Sequence, residues 1–337
     1  MPHSLTIIVV ALNEARHLGQ LKASVDSLRI PSDVTVETIL VDGGSVDGTA
    51  ELGRKLGFTK VIELQDASIP VCRNRGLAEA DGEWIAFLDG DCEPDADWLS
   101  TAWSVLQQTG PALIGWPVSP PTPPTWVQGA WHAHWTNKNR QLEDYGGRSV
   151  VRREAFRLIT TRNLIVHRSV ATQLNGFDEN LPTGEDTDFA FRADLRGVPV
   201  LGVPELRVVH HGEPATLREF FRQQLWHANR RSYARIVSVR GGRAGGNAVI
   251  FSCAFLGAAA LAIAGFVVAA ATRRAEWLAL LVPLASIVLL PAAFMAWKSR
   301  RPRLVVPLSV LYGAYGLARA LDLAGLFRSK PSWKRRA

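Results

Sequence analysis

The sequence predicts an α/β protein: a doubly wound, mostly parallel sheet followed by a C-terminal transmembrane helical region. Three observations carry this. Short β-branched and aromatic runs alternate with amphipathic segments from Leu5 onward. One of those runs, Trp84 to Leu88, stops abruptly at Asp89-Gly90-Asp91. Beyond residue 247, almost wholly apolar stretches follow one another, each long enough to cross a hydrocarbon core of about 30 Å.

Taken in order, Leu5–Ala11 reads as a strand, and Asn13 as the N-cap of a helix whose apolar positions Leu18, Leu21, Val25 and Leu28 follow helical spacing. Thr35–Val41 is a second strand. It ends at Asp42-Gly43-Gly44-Ser45-Val46-Asp47-Gly48-Thr49, where glycines permit a tight turn and Asp47 or Thr49 can cap a helix carrying Leu52 and Leu56. Val61–Leu64 is a third strand, residues 70–80 a short helix with Arg73, Asn74 and Arg75, and Trp84–Leu88 the central strand.

Open α/β sheets bind ligands at the carboxyl edge of their strands. Asp89 and Asp91 stand at that edge and can share one hard divalent cation, while Gly90 lets a diphosphate approach the backbone. A solvated acidic turn is the plain alternative.

After Pro117 the composition changes to an extended proline-rich segment, followed by a helix with Trp126, Trp131, Trp135, His132 and His134. Its tryptophans suit sugar faces, a membrane interface or core packing. Arg140, Arg148, Arg152, Arg153 and Arg157 surround Gly146-Gly147 in a basic loop, either a solvated face or a cover for phosphate. Asn163–Val166 is a strand, and a helix ends at Asn175-Gly176-Phe177-Asp178. Gly184-Glu185-Asp186-Thr187-Asp188 opens another helix, where acidic residues also favour the macrodipole. A further strand ends at Val208-Val209-His210-His211-Gly212.

Lys plus Arg (38) exceeds Asp plus Glu (31), and the excess lies after residue 215. These basic clusters flank apolar stretches, so an anionic membrane surface is expected and no nucleic acid. Cys72, Cys92 and Cys253 lack metal-site spacing, which fits a reducing compartment. Leu5–Leu12 is too short for the core of a signal peptide. Spans are expected at about 248–271 and 277–297. Lys298, Arg300, Arg301 and Arg303 follow the second, and Arg230, Arg231, Arg235, Arg240 and Arg243 precede the first, so both flanks are expected in the cytoplasm of an inner-membrane, multi-pass protein. The stretch 304–327, with Arg319 and Asp322 inside it, reads as a third span or an interfacial helix, the second being favoured by the basic tail.

Four blocks carry a family resemblance: Ala11-Leu12-Asn13-Glu14, Val41 to Thr49, Arg73-Asn74-Arg75-Gly76 and Leu88-Asp89-Gly90-Asp91. In this order and spacing they resemble glycosyltransferase family 2, inverting enzymes of GT-A fold, over about residues 5–235. The resemblance implies residues 1–118 as the nucleotide-sugar half and 119–240 as the acceptor half, and the apolar stretches mark 247–327 as the membrane region. It implies a nucleoside-diphosphate sugar, a UDP-sugar favoured, bound by Asn13, Glu14, Asp42, Arg73 and Asp89, with Asp42 on the nucleobase or ribose. It further implies Asp186 as the catalytic base with Glu185 as acceptor-hydroxyl partner, and a divalent cation, Mg2+ or Mn2+, on Asp89 and Asp91 with His211 (His210 being the other choice). Phe220 to His227 loosely matches the family's Gln-x-x-Arg-Trp block, which puts Gln223 and Trp226 at the donor, but Leu225 replaces its Arg and argues for single-sugar transfer. Asp42-Gly43, where many members carry two acidic residues, leaves base and sugar open.

The expected product is a cell-surface polysaccharide or glycolipid built on a lipid-linked saccharide or lipid hydroxyl. Polyprenyl phosphate is the alternative acceptor, disfavoured because an ionised acceptor needs no base. A degenerate membrane scaffold is the non-enzymatic rival.

Overall fold

A computed structural model of the 337-residue chain describes residues 3–137, 142–145, 147–228 and 246–326, with backbone only at 137 and 246–248. Arg140, the basic residues between 230 and 243, and the tail from Phe327 lie outside them. The first part runs β1 (His3–Ala11), α1 (Ala15–Asp26), β2 (Val34–Asp42), α2 (Thr49–Lys55), β3 (Lys60–Glu63), α3 (Ile69–Glu79) and β4 (Trp84–Asp89). There follow β5 (Cys92–Pro94), α4 (Trp98–Thr109), β6 (Leu113–Gly115), α5 (Trp126–Asn137), β7 (Glu143–Tyr145), β8 (Arg148–Val150) and β9 (Leu164–His167). The remainder is α6 (Arg168–Gln173), α7 (Glu185–Leu195), β10 (Val200–Gly202), β11 (Val208–His210), α8 (Leu217–His227), α9 (Gly246–Thr272), α10 (Val282–Lys298) and α11 (Val305–Leu323).

Two compact units result. Of the described residues, the first comprises those up to 122 and from 142 to 213, and the second those of 123–137 and from 214 onward. Residues 119–240 are therefore divided between both.

In the first unit a seven-stranded sheet has the order β10-β6-β9-β4-β1-β2-β3. It is parallel except for β9, which pairs antiparallel with both β4 and β6. β1 is central because it is apolar on both faces, with Ile7, Ile8 and Val9 wholly buried. Its register sets Ala11 beside Asp42 and Val10 beside Asp89, so the two acids end adjacent strands on either side of β1. The chain winds outward from β1 to β3 and then returns to β4, which makes β1 the switch point where such sheets hold ligands. Helix α3 lies close on this sheet: a Cβ at Gly76 would meet the Ile8 Cγ2 at 2.5 Å. The expected basic loop is instead an antiparallel ribbon, β7 on β8. Arg152 sits 3.8 Å from Glu143, and Arg157 sits 3.0 Å from Glu154.

In the second unit, Trp131, Phe220, Ala292, Met295, Leu308 and Leu311 share one apolar cluster, so Trp131 is a core residue. The His134 ring nitrogen Nδ1 lies 2.8 Å from the Tyr312 hydroxyl. Three helical stretches, Val249–Thr272, Ala275–Lys298 and Pro302–Leu323, are long and apolar enough to cross a membrane. The second opens with a 3-10 turn, Ala275–Leu281, before α10. The third matches the span option for 304–327 in length and composition.

Candidate active site

The switch point is built from two interlocked loops. Asn13 is not the N-cap of α1: it takes a left-handed φ of 56°, and Glu14 occupies the cap position. The Asn13 side-chain oxygen instead accepts the Val46 N–H at 2.9 Å, while its own N–H donates to the Ser45 hydroxyl at 2.8 Å. The first turn of α1 is completed from the other loop, the Ala15 N–H donating to Asp47 at 3.0 Å and the Glu14 N–H to Thr49 at 3.0 Å. Asp42 is buried, and its Oδ1 accepts the Gly44 and Ser45 N–H groups at 2.8 and 2.6 Å. Its Oδ2 is also buried and finds no hydrogen-bond partner among the described residues. Such an orphan carboxylate oxygen is costly unless a ligand completes it.

The second group centres on Arg73, which α3 delivers beneath the sheet edge. Its guanidinium donates to the Glu185 carboxylate, and its other terminal nitrogen lies 3.3 Å from Asp89. Arg73 and Glu185 side chains are only 5% and 8% exposed, so this is a buried ion pair. Burial pushes the Glu185 carboxyl up to about 7, with Arg73 pulling it down and Asp186 adding to the rise. Asp186, next on α7, is half-buried, and its Oδ1 accepts the Thr187 N–H at 2.6 Å.

The α7 start is fixed by side chains that substitute for backbone partners. Asn74 accepts the Phe177 N–H at 2.8 Å and donates to the Phe177 carbonyl at 2.9 Å. From within α7, Arg192 donates to the carbonyls of Leu174 and Gly176 at 2.6 and 2.8 Å. Helix α7 and the Gly-Phe-Asp turn are thereby tied to α3, which carries Arg73.

The third group forms where β11 pairs antiparallel with β5, setting His210 opposite Cys92. His210, rather than the favoured His211, faces Asp91: its Nε2 is 3.1 Å from the Asp91 Oδ1, and both side chains are nearly inaccessible. His211 points elsewhere, its Nε2 lying 2.7 Å from Glu93 and its ring stacked on His17 at 5.5 Å. Against the cost of burial, the Asp91 carboxylate raises the His210 imidazole to about 9. Glu213 lies 3.0 Å from the His210 Nδ1 and pairs with Arg162. Its carboxyl is held down to about 2 against burial by Arg162 and then His210. Asp89 is not part of this group, because its Oδ1 faces Arg73.

Residues 84–314 match the family described as glycosyl transferase family group 2, and residues 6–159 match glycosyl transferase family 2. The chain is a family 2 glycosyltransferase.

Glycosyltransferase AglE of Haloferax volcanii is 27% identical over 70% of this chain and 78% of its own length. Pre-mycofactocin glycosyltransferase of Mycobacterium tuberculosis is 23% identical over 66% of this chain, which spans only 46% of that relative. Among solved structures, the mannosyltransferase PcManGT from Pyrobaculum calidifontis, in complex with GDP-Man and Mn2+, shares the fold with a TM-score of 0.52 at 17% identity. That match covers 98% of this chain and 78% of the other.

In this glycosyltransferase the atoms of Asp91, Cys92 and His210 are mutually within 4.8 Å, the one such cluster among the described residues. The thiol is the poorest member: burial pushes Cys92 well above its usual range, so it stays protonated. The carboxylate suits Mn2+ or Mg2+, while the imidazole nitrogen favours a transition ion such as Mn2+ over Mg2+. Space for an ion exists because residue 212 is glycine: a Cβ there would fall 2.4 Å from the Asp91 Oδ2 and 3.2 Å from the His210 Nε2. The donor set and this cradle fit a divalent cation on Asp91 and His210.

Gln223 and Trp226 lie on α8 in the second unit, where the Trp226 ring packs on His227 at 4.6 Å. The Arg162–Glu213–His210 network escaped sequence reasoning. His210 was already a candidate ligand, but Arg162 lies about fifty residues before it and Glu213 belongs to no motif, so nothing in the sequence joined them to it.

Proposed function

We propose that this glycosyltransferase moves a sugar from a UDP-sugar to a hydroxyl of a lipid or lipid-linked saccharide, with inversion, at the cytoplasmic face of a membrane that its three long helices cross. The observation that carries the reading is Arg73 gripping both Glu185 and Asp89, because it joins the donor edge to the acidic start of α7. Asp42 supports uracil. Its Oδ1 is committed to the turn, leaving one oxygen for a single imide N–H, whereas guanine offers a pair of donors.

At the donor side Asp91 and His210 would hold the cation, whose contribution is Lewis-acid neutralisation of charge on the departing diphosphate. Arg73 holds Asp89 and Glu185 in place, and its own positive charge stabilises anionic oxygens at the sheet edge. Asp186 is more exposed than Glu185 and carries no ion pair among the described residues. It takes the proton of the acceptor hydroxyl during attack opposite the leaving group. Buried Glu185 positions Arg73 and accepts from the acceptor's hydroxyls.

The lipid acceptor follows from tethering, since a membrane anchor raises the effective concentration of lipid substrates. Both relatives named above carry glycosyltransferase names. The mannosyltransferase neighbour binds a nucleotide sugar and Mn2+, which is consistent with this donor and cation class.

The test is a donor screen on the detergent-solubilised chain with a membrane lipid extract, reading nucleoside diphosphate release and the anomeric configuration of the product. Release from GDP-sugars alone removes the uracil assignment, and a retained configuration removes inversion. Full transfer to polyprenyl phosphate by Asp186→Asn favours the ionised acceptor instead. Reporter fusions after residues 273 and 300 test the orientation.

A further inference from the structure

Many cations of the first unit pair with carboxylates, among them Arg29 with Asp97, Arg54 with Glu63 and Arg192 with Asp188. The turn between α10 and α11 is different. Lys298, Arg300, Arg301 and Arg303 crowd six positions, yet no Asp or Glu occurs anywhere from Trp277 to Leu321. Among the described residues Arg300, Arg301 and Arg303 are exposed and form no ion pair.

The backbone holds this cluster in a costly shape. Helix α10 ends with the Arg301 N–H bonded to the Ala296 carbonyl at 2.9 Å and the Arg300 N–H bonded to the Trp297 carbonyl at 3.0 Å. That is the Schellman pattern, whose left-handed position is normally glycine. Here Arg300 occupies it with φ 55°, a conformation that disfavours any side chain. A groove of about 660 Å3 opens beside it, walled by Ala293, Ala296, Trp297 and Val305 and edged by Lys298 and Arg300. Trp297 is 76% exposed, at the helix end where tryptophan marks a bilayer interface. An apolar trough with cations at one end complements an amphiphile with an anionic head.

We propose that this turn binds the phosphate of an anionic membrane phospholipid, with Arg300 and Arg301 on the phosphate and an acyl chain along Ala293, Ala296 and Val305. The inference rests on the reading that α10 and α11 cross the bilayer. Bound there, the lipid offsets the charge of Arg300 and Arg301 and fixes the depth of both helices.

The test is native mass spectrometry of the full chain in detergent, titrated with phosphatidylglycerol and with phosphatidylcholine of the same acyl chains. Phosphatidylglycerol is expected to be retained preferentially, by roughly fivefold for each arginine engaged. Arg300→Gly should lower that preference about fivefold while leaving thermal stability equal or higher, because glycine relieves the left-handed strain. Arg300→Lys should keep most of it. Equal retention of the two lipids, or a preference unchanged in R300G/R301Q, overturns the proposal. So does displacement of the bound lipid by millimolar inorganic phosphate, since that marks a site for the anion alone. Flotation with pure phosphatidylcholine vesicles separates the failures: a chain that floats but shows no lipid preference refutes only this inference, whereas one that does not float refutes the membrane reading itself.

Discussion

Replacing Arg73 by Met tests the buried ion pair that joins the two halves of the site. Arg73 and Glu185 are 5% and 8% exposed, so solvent screens the pair little. Removing one partner of such a pair typically costs about 3–5 kcal/mol, because an unmatched charge stays buried. Glu185 has an escape, since burial already places its titration at about 7. Without Arg73 it keeps its proton to higher pH in the folded state. A carboxyl whose folded value lies above its unfolded value contributes stability at low pH that is lost as pH rises through the folded value. The deficit of Arg73→Met relative to the parent should thus be smallest below pH 7 and grow by about 1.4 kcal/mol per pH unit above it, towards the full penalty. R73M/E185Q should recover most of the loss, the signature of coupling between neighbours. Urea unfolding of the detergent-solubilised chain at pH 6, 7 and 8, followed by tryptophan fluorescence, measures this. A deficit below about 1 kcal/mol that is flat with pH, or no recovery in the double variant, refutes the reasoning.

Other outcomes follow from the same geometry. Asp186→Asn should cut transfer about 10²–10⁴-fold with an unchanged melting temperature, read by nucleoside diphosphate release; a loss within threefold removes Asp186 as base. In Gly212→Ala the new Cβ falls 2.4 Å from the Asp91 Oδ2, so the Mn2+ concentration for half-maximal activity should rise at least tenfold; an unchanged Mn2+ titration would falsify the cradle. His210 titrates at about 9, so its stabilisation is complete below pH 6.5 and lost as pH rises through 9. The metal-free melting temperature should fall over that window in the parent and less so in His210→Gln. Trp98 donates its indole N–H to Asn163 at 2.8 Å inside the core, so Trp98→Phe should destabilise by about 1–3 kcal/mol in the same urea assay, by orphaning the Asn163 oxygen.

Much of the first unit was legible because its strands are buried on both faces and must be written as unbroken apolar runs. Leu5–Ala11, Thr35–Val41 and Trp84–Leu88 all fall within observed strands. Strand direction was not legible for Leu164–His167, four residues that read alike in either orientation; its antiparallel insertion between β4 and β6 is set by tertiary pairing. The choice between His210 and His211 was equally closed to sequence. Adjacent residues on a strand face opposite ways, and the side is decided by pairing with Cys92–Pro94, a three-residue strand with no signal of its own. Asn13 failed as a cap because a loop over thirty residues later supplies Asp47 and Thr49 to the same turn. Arg73 and Glu185 were both singled out by motif, but only folding reveals that they share a proton balance.

The pairing of β5 with β11 also fixes an order of events during synthesis. The aspartate at position 91 emerges from the ribosome early, yet its imidazole partner and the bare glycine beside it come more than a hundred residues later. Until that segment is made, Asp91 stands at a finished sheet edge without the imidazole and the glycine that flank it in the folded chain. Only about forty residues separate that segment from Val249, where the first long apolar stretch opens, so the last pieces of this edge and the first long helix lie close together in the chain.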